Sequence, residues 1–251
     1  MDNDFYTQER QREQLNQHLV GENYTAQGLG RYTARVFALM FLGLLITFAV
    51  GFWLSGTYAG FRFLYRALNA VPALHIILMV AELAVVLLLN TMMHRLSPTA
   101  ALILFLVYSV LTGFTFGVIF LIYDLTSLVL AFGATALYFG GMAVFGYLTQ
   151  IDLSRIRPFL LAGLIFLIVM NVLMLFLPNL SVIDRILCTI GVIVFLAYTA
   201  YDTQKIKTAF FALQGDQAML SKAAVLSALE LYLDFVNLFL YVLRLLGKKK
   251  N

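Results

Sequence analysis

Seven stretches of about twenty predominantly apolar residues divide this 251-residue chain: roughly 34–56, 73–93, 99–121, 127–149, 159–177, 182–203 and 225–246. A helix rises 1.5 Å per residue and the hydrocarbon core of a bilayer is about 30 Å thick, so each run is long enough to cross. Lipid offers no partner to a backbone N–H or C=O group, which restricts such runs to helices. Composition agrees, with 62% of residues hydrophobic and 12% charged; soluble domains hold about 45–50% and about 25%. One core of a chain this size could not hide so many Phe, Leu, Ile and Val side chains. The expected fold class is therefore an all-α integral membrane protein with seven transmembrane helices, and the lipid bilayer is its first partner.

The breaks between runs carry turn or charge signals: Gly56–Arg66, His94–Pro98, Tyr123–Asp124, Asp152–Pro158, Pro178–Asp184 and a long polar loop over 204–224. Most are short, so successive helices should pack antiparallel in one bundle spanning 34–247, with no second domain. Residues 1–33 are rich in Gln, Asn, Glu and Arg and lack the apolar core of a signal peptide. They read as a soluble, partly disordered tail, with Tyr24–Tyr32 at the membrane surface and His18 solvated. Residues 248–251 form a basic C-terminal tail.

Orientation follows from Lys and Arg placement. With the N-terminus cytoplasmic, the inside segments hold ten: Arg10, Arg12, Arg31, Arg35, Arg95, Arg155, Arg157, Lys205, Lys207 and Lys222. The outside loops hold three, Arg62, Arg66 and Arg185. Full crossing by the last segment places Arg244 and Lys248–Lys250 on the disfavoured side; a re-entrant segment would return them. Full crossing is expected, because the segment is long enough and its neighbours already fix the topology. The ratio thus puts the N-terminus inside. The net charge of +4 describes loops and tails and does not indicate a nucleic-acid partner.

The last run reads VLSALELYLDFVNLFLYVLRLL, with an aspartate in its middle. A charged carboxylate at the bilayer centre costs about 2.5–3.5 kcal/mol on insertion scales. Glu230, Asp234, Asn237, Tyr241 and Arg244 recur at spacings of 4, 3, 4 and 3, so they line one helix face that should turn inward. That stripe is either a set of hydrogen-bonded packing groups or an ion path. The preceding run ends FLAYTAYDTQKIK, placing Asp202 near the cytoplasmic end of its helix. An acid at a helix C-terminus opposes the macrodipole, so something else should hold it there. The last helix begins on that side, so Asp202 and Asp234 could meet at similar depth. Two carboxylates in contact there cannot both ionise cheaply, so they should titrate as a unit. Calcium prefers several oxygen ligands, and protons and calcium would compete for such a pair.

Other polar groups have structural explanations of comparable weight. Glu82, in LMVAELAVVLLLN, is a further buried acid seven residues from His75, which sits at the outer interface. Asp152, in LTQIDLSRIRP, should cap a helix start. Gly113 and Gly117 form a GxxxG, and Gly140, Gly141 and Gly146 follow; all should let helices approach closely. Asn171 should bond between helices. Cys188 is the one cysteine, so no intrachain disulfide forms. With His75 and His94 at opposite ends of one helix, an intramembrane serine or zinc hydrolase lacks its base or ligands. No enzyme and no cofactor is expected, calcium entering as a transported or bound ion.

The segments AYDTQKIK, LYLDFVNLFLYVLRLLG, GYLTQIDLS, AELAVVLLL and SVLTGFTFGVIF together resemble the Bax inhibitor-1 (TMBIM) family, specifically its bacterial branch, over about residues 30–247. The resemblance implies six helices in two three-helix layers surrounding a hydrophobic C-terminal helix. It also implies proton-sensitive calcium leak through paired aspartates, which fall on Asp202 and Asp234, the gating and calcium-binding (metal) residues. An arginine latch at the end of the second helix is implied too. The matching position is about Met93, so Arg95, two residues on, is the nearest candidate. Arg95, Glu82, Glu230, Asn237 and Asp152 are the supporting residues. The loop containing FFALQGDQAMLSKAA is extended relative to some bacterial relatives.

The expected function is a pH-sensitive calcium leak channel or transporter with the aspartate pair as its cation and gating site. The alternative is a regulatory membrane protein, acting in stress responses, that binds another membrane protein such as a membrane-anchored protease.

Overall fold

The computed structural model describes the backbone of residues 2–71, 73–92, 95–174, 176 and 181–250, and the side chains of those stretches from residue 27 on except His75. Met93 and His94, and the side chains of His18, Tyr24 and His75, lie outside the described residues. Eight α-helices are described: α1 (Asp2–Gly56), α2 (Tyr58–Ala70), α3 (Leu74–Thr91), α4 (Pro98–Ile122), α5 (Leu125–Leu148), α6 (Arg157–Met174), α7 (Ser181–Ala212) and α8 (Gln217–Leu246). A short 3₁₀ turn, Leu153–Ile156, precedes α6.

Among the described residues, six helical segments are long and apolar enough to cross a membrane: Gln27–Gly56, Pro98–Ile122, Leu125–Leu148, Leu153–Met174, Ser181–Ala212 and Gln217–Leu246. The run expected over 73–93 forms α3, whose described apolar stretch, Ile76–Thr91, is shorter. Starts follow local chemistry. Ser97 accepts a hydrogen bond from Ala100 N with Pro98 in the first turn, Asp124 accepts from Ser127 N, and Asp216 accepts from Met219 N.

Three connections differ from expectation. The stretch 58–66, read as a break, belongs to helix α2, capped by Thr57 Oγ1 accepting from Gly60 N. Its apolar residues, Phe61, Leu64 and Leu68, recur at helical spacing opposite Arg62 and Arg66, a pattern that favours an amphipathic helix over a loop. The loop expected over 204–224 shrinks to 213–216, because α7 continues to Ala212 and α8 begins at Gln217. Gly215, at φ +105°, makes the turn that other residues rarely adopt. Asp202 is therefore ten residues inside its helix, and the expected conflict with the helix dipole does not arise. Finally, the backbone of residues 2–33 is helical and continuous with the first span. Gln, Glu and Arg are good helix formers, and no proline interrupts them.

Helices α1 and α4 run parallel in close contact. A Cβ on Gly113 would strike Val50 and approach Thr47 O, and one on Gly117 would strike Leu54, so each step along α4 matches one along α1. The GxxxG pair thus packs as expected. Gly146 likewise abuts the backbone of Ala200 on α7. Gly140 and Gly141 do not act as close-approach points: a Cβ at either meets nothing within 4 Å.

Helix α8 packs against α1, α4, α5 and α7. Within its most apolar window 72% of residues are buried, against 11–39% in the other five spans. Its first turns lie beside α1, where Arg35 Nη1 donates to Ser221 Oγ at 3.2 Å. Its far end meets the end of α4, where Lys250 N donates to Ile122 O at 2.8 Å. Lys248–Lys250 therefore lie at the opposite end of the bundle from Arg35, as a full crossing by the last segment requires.

Candidate functional site

The polar stripe of α8 faces α6 and α7, and each of its groups but one finds its partner there. Asp202 of α7 is 8% exposed and Asp234 of α8 is 3% exposed, and the two carboxyls neighbour each other between these helices. An ionised carboxylate only accepts, so a bond between two carboxyls requires a proton on one of them. Asp234 Oδ2 is buried and has no hydrogen-bond partner among the described residues.

The charged groups facing the dyad are Glu230, Lys205 and Arg157. Lys205 Nζ donates to Glu230 Oε1 at 2.5 Å. This ion pair bridges the same two helices as the dyad. The sequence reading took Lys205 as a loop charge and did not connect it with Glu230. The signal was present: Lys205 follows Asp202 by three residues and Glu230 precedes Asp234 by four, so both lie on the dyad's faces.

Farther along α8, Asn237 bonds only its own helix, its Nδ2 donating to Leu233 O at 2.8 Å. Asn171 of α6 donates to Tyr241 Oη at 3.0 Å and accepts from Arg244 Nη1 at 2.9 Å, the interhelical role expected of it. Arg244 also pairs with Asp184 at the start of α7, a partnership the sequence reading missed. The stripe therefore runs from an ion pair and the aspartate dyad near the middle of α8 to a second ion pair at its end.

The supporting candidates divide. Glu230 joins the site. Glu82 is half-buried on α3 and accepts from Thr115 Oγ1 of α4 at 3.0 Å, a structural pairing apart from the dyad. Arg95 is exposed in the turn after α3, bonded through its backbone N to Met92 O. The cations that face the dyad are Lys205 and Arg157 instead. Asp152 caps the 3₁₀ turn, accepting from Ser154 N at 3.0 Å. Bonds from the Ser154 hydroxyl and N–H hold its carboxyl below the ordinary aspartate range. Gln204 ties this loop to α7, donating from Nε2 to Ile151 O and accepting from Leu153 N.

The donor set sets limits on metal chemistry. Calcium takes six to eight oxygens, and the dyad offers two carboxyls, with Glu230 already paired to Lys205. Among the described residues no three His, Cys, Asp or Glu side chains cluster closely enough to hold a metal ion.

Residues 29–251 match the family described as inhibitor of apoptosis-promoting Bax1. The chain is 38% identical to the inner membrane protein YbhL of Escherichia coli K12 over 224 residues, covering 89% of this chain and 94% of that protein. It is 36% identical to an uncharacterised protein of Borreliella burgdorferi, covering 88% and 93%. An uncharacterised membrane protein of Streptococcus pyogenes serotype M1 is 31% identical, covering 93% and 99%.

Proposed function

This chain belongs to the Bax inhibitor-1 family of membrane proteins, and we propose that it is a pH-sensitive calcium leak channel or transporter gated by Asp202 and Asp234. One observation carries this reading: two carboxyls are buried against each other between α7 and α8, a placement in which a shared proton would be the link. Loss of that proton leaves two negative charges in contact, which drives the helices apart or draws in a cation. Calcium and protons then compete for the same oxygens. Arg157 and Lys205 are placed to moderate the charge from the side on which α8 begins.

The reading includes a membrane frame. Helix α3 acts as a seventh crossing, and α8 is the helix that the other six surround, as its burial and its contacts with α1, α4, α5 and α7 favour. The ten-to-three balance of Lys and Arg puts the N-terminus in the cytoplasm, and the relative in E. coli favours the inner membrane.

Liposomes holding a calcium-sensitive dye and the purified chain test the proposal. Flux should depend on pH in the wild type and change with Asp234→Asn; identical flux in both would overturn it. A second reading, regulation of a partner such as a membrane-anchored protease, is favoured by the polar helical extension at the start of α1. Deleting residues 1–26 should then release a bound partner while leaving calcium flux intact.

A further inference from the structure

The tail Lys248–Lys250 poses a question of its own, because three consecutive cations at the far end of the last span oppose the charge bias of the rest of the chain. All three side chains are exposed. Backbone hydrogen bonds clamp the tail to the α4–α5 turn: Asp124 N donates to Lys248 O, Lys248 N to Ser127 Oγ at 2.9 Å, and Lys250 N to Ile122 O at 2.8 Å. Lys250 Nζ donates to Phe120 O at 3.0 Å. The nearby acids are Asp124, which faces Lys248, and Asp184, which is taken by Arg244.

Lys250 stands at one end of a cavity of about 1200 Å³. Helices α1 and α5 form its walls from Thr33 to Gly56 and from Leu125 to Leu148, the full length of both spans, and Phe235 of α8 contributes to its lining. The walls are apolar throughout, with Phe41, Leu45, Phe52 and Val129 all about half exposed or more. Gly140 opens the α5 side, since a Cβ there would meet nothing within 4 Å. The end of this trough that Lys250 lines, with Lys248 and Lys249 beside it, pairs an apolar wall with cations, the chemistry that an anionic phospholipid in one leaflet would match.

We propose that the groove between α1 and α5 binds the acyl chains of one anionic phospholipid, its headgroup held by Lys248–Lys250. Charge selects this occupant: a neutral lipid fills the trough equally well but gains nothing from the lysines, and an apolar helix from a second copy leaves them unmatched. The cost of placing cations against the topological bias is offset by this fixed partner. The lipid would also rest on Phe235, the neighbour of Asp234, and so touch the helix that carries half of the dyad. This inference stands independently of the calcium reading.

Native mass spectrometry of the full chain in detergent, given equal amounts of phosphatidylglycerol and phosphatidylcholine with matched chains, tests it. The wild type should retain phosphatidylglycerol preferentially. Replacing Lys248, Lys249 and Lys250 with glutamine should erase that preference, by about fivefold per lysine. Gly140→Leu should reduce retention of both lipids while leaving the melting temperature unchanged, since the added atoms enter open space. Equal retention of the two lipids by the wild type would overturn the proposal. So would a preference that survives the triple substitution, or a lipid-free dimer.

Discussion

Lys205 and Glu230, joined at 2.5 Å, bridge the same two helices as Asp202 and Asp234 and lie about one turn from them. The match arises because α7 and α8 are antiparallel across a four-residue turn: three residues forward on one correspond to four back on the other. The dyad therefore has a neighbouring strut that keeps its helices in register.

Asn at either dyad position keeps the shape and removes a titrating group. Asp234→Asn and Asp202→Asn should each flatten the pH dependence of calcium flux in liposomes, because a neutral amide can stand in for only one protonation state. Their melting temperatures at low pH should stay close to wild type, where the carboxyls are neutral as well. Retention of the full wild-type pH profile by both variants would remove the dyad from the gate.

The strut is partly solvated, with Lys205 41% exposed and Glu230 18%. Solvent screening keeps the worth of such a pair modest. A double-mutant cycle with Lys205→Met and Glu230→Gln should return a coupling of about 1 kcal/mol in an unfolding titration. Zero coupling would mean that the pair is incidental.

Gly146 and Gly141 lie on one helix in opposite circumstances. Gly146→Leu must push α5 from the backbone of Ala200 and should destabilise the protein by about 1–3 kcal/mol. Gly141→Leu enters open space and should leave stability near wild type. Thermal melts in detergent compare them directly, and equal losses would contradict the packing of α5 on α7.

Asp152 gives a stability effect with a defined sign. Its folded-state carboxyl is held below the ordinary range by Ser154, so it stabilises the fold at pH values above the unfolded aspartate value, about 3.9. That contribution is lost as pH falls through the lower folded value. The wild type should therefore melt slightly above Asp152→Ala at neutral pH, and the gap should close in acid. A gap that widens in acid would reverse the assignment.

Much of the fold was legible in the order of residues. Runs of apolar side chains dictate spanning helices because lipid leaves the backbone no other partner, and spacings of three and four place Asp234, Tyr241 and Arg244 on one face whatever surrounds them. Even the packing of Gly113 and Gly117 follows from their spacing, since four residues bring them to the same line of contact.

Partners were another matter. Helical spacing says which face a group occupies, not which helix will lie across from it. So Lys205 looked like a loop charge, although α7 carries it beside Glu230, and Arg95 looked like a latch, although it lies exposed in the turn after α3. The α1–α5 groove is invisible in the chain, being a gap between helices distant in sequence. The order of residues determined the apolar spans, the buried stripe and the existence of two unusual acids, because insertion cost and helical period act locally. Only tertiary packing decided that the acids meet, because that depends on the turn at Gly215 and on how α7 docks against α8.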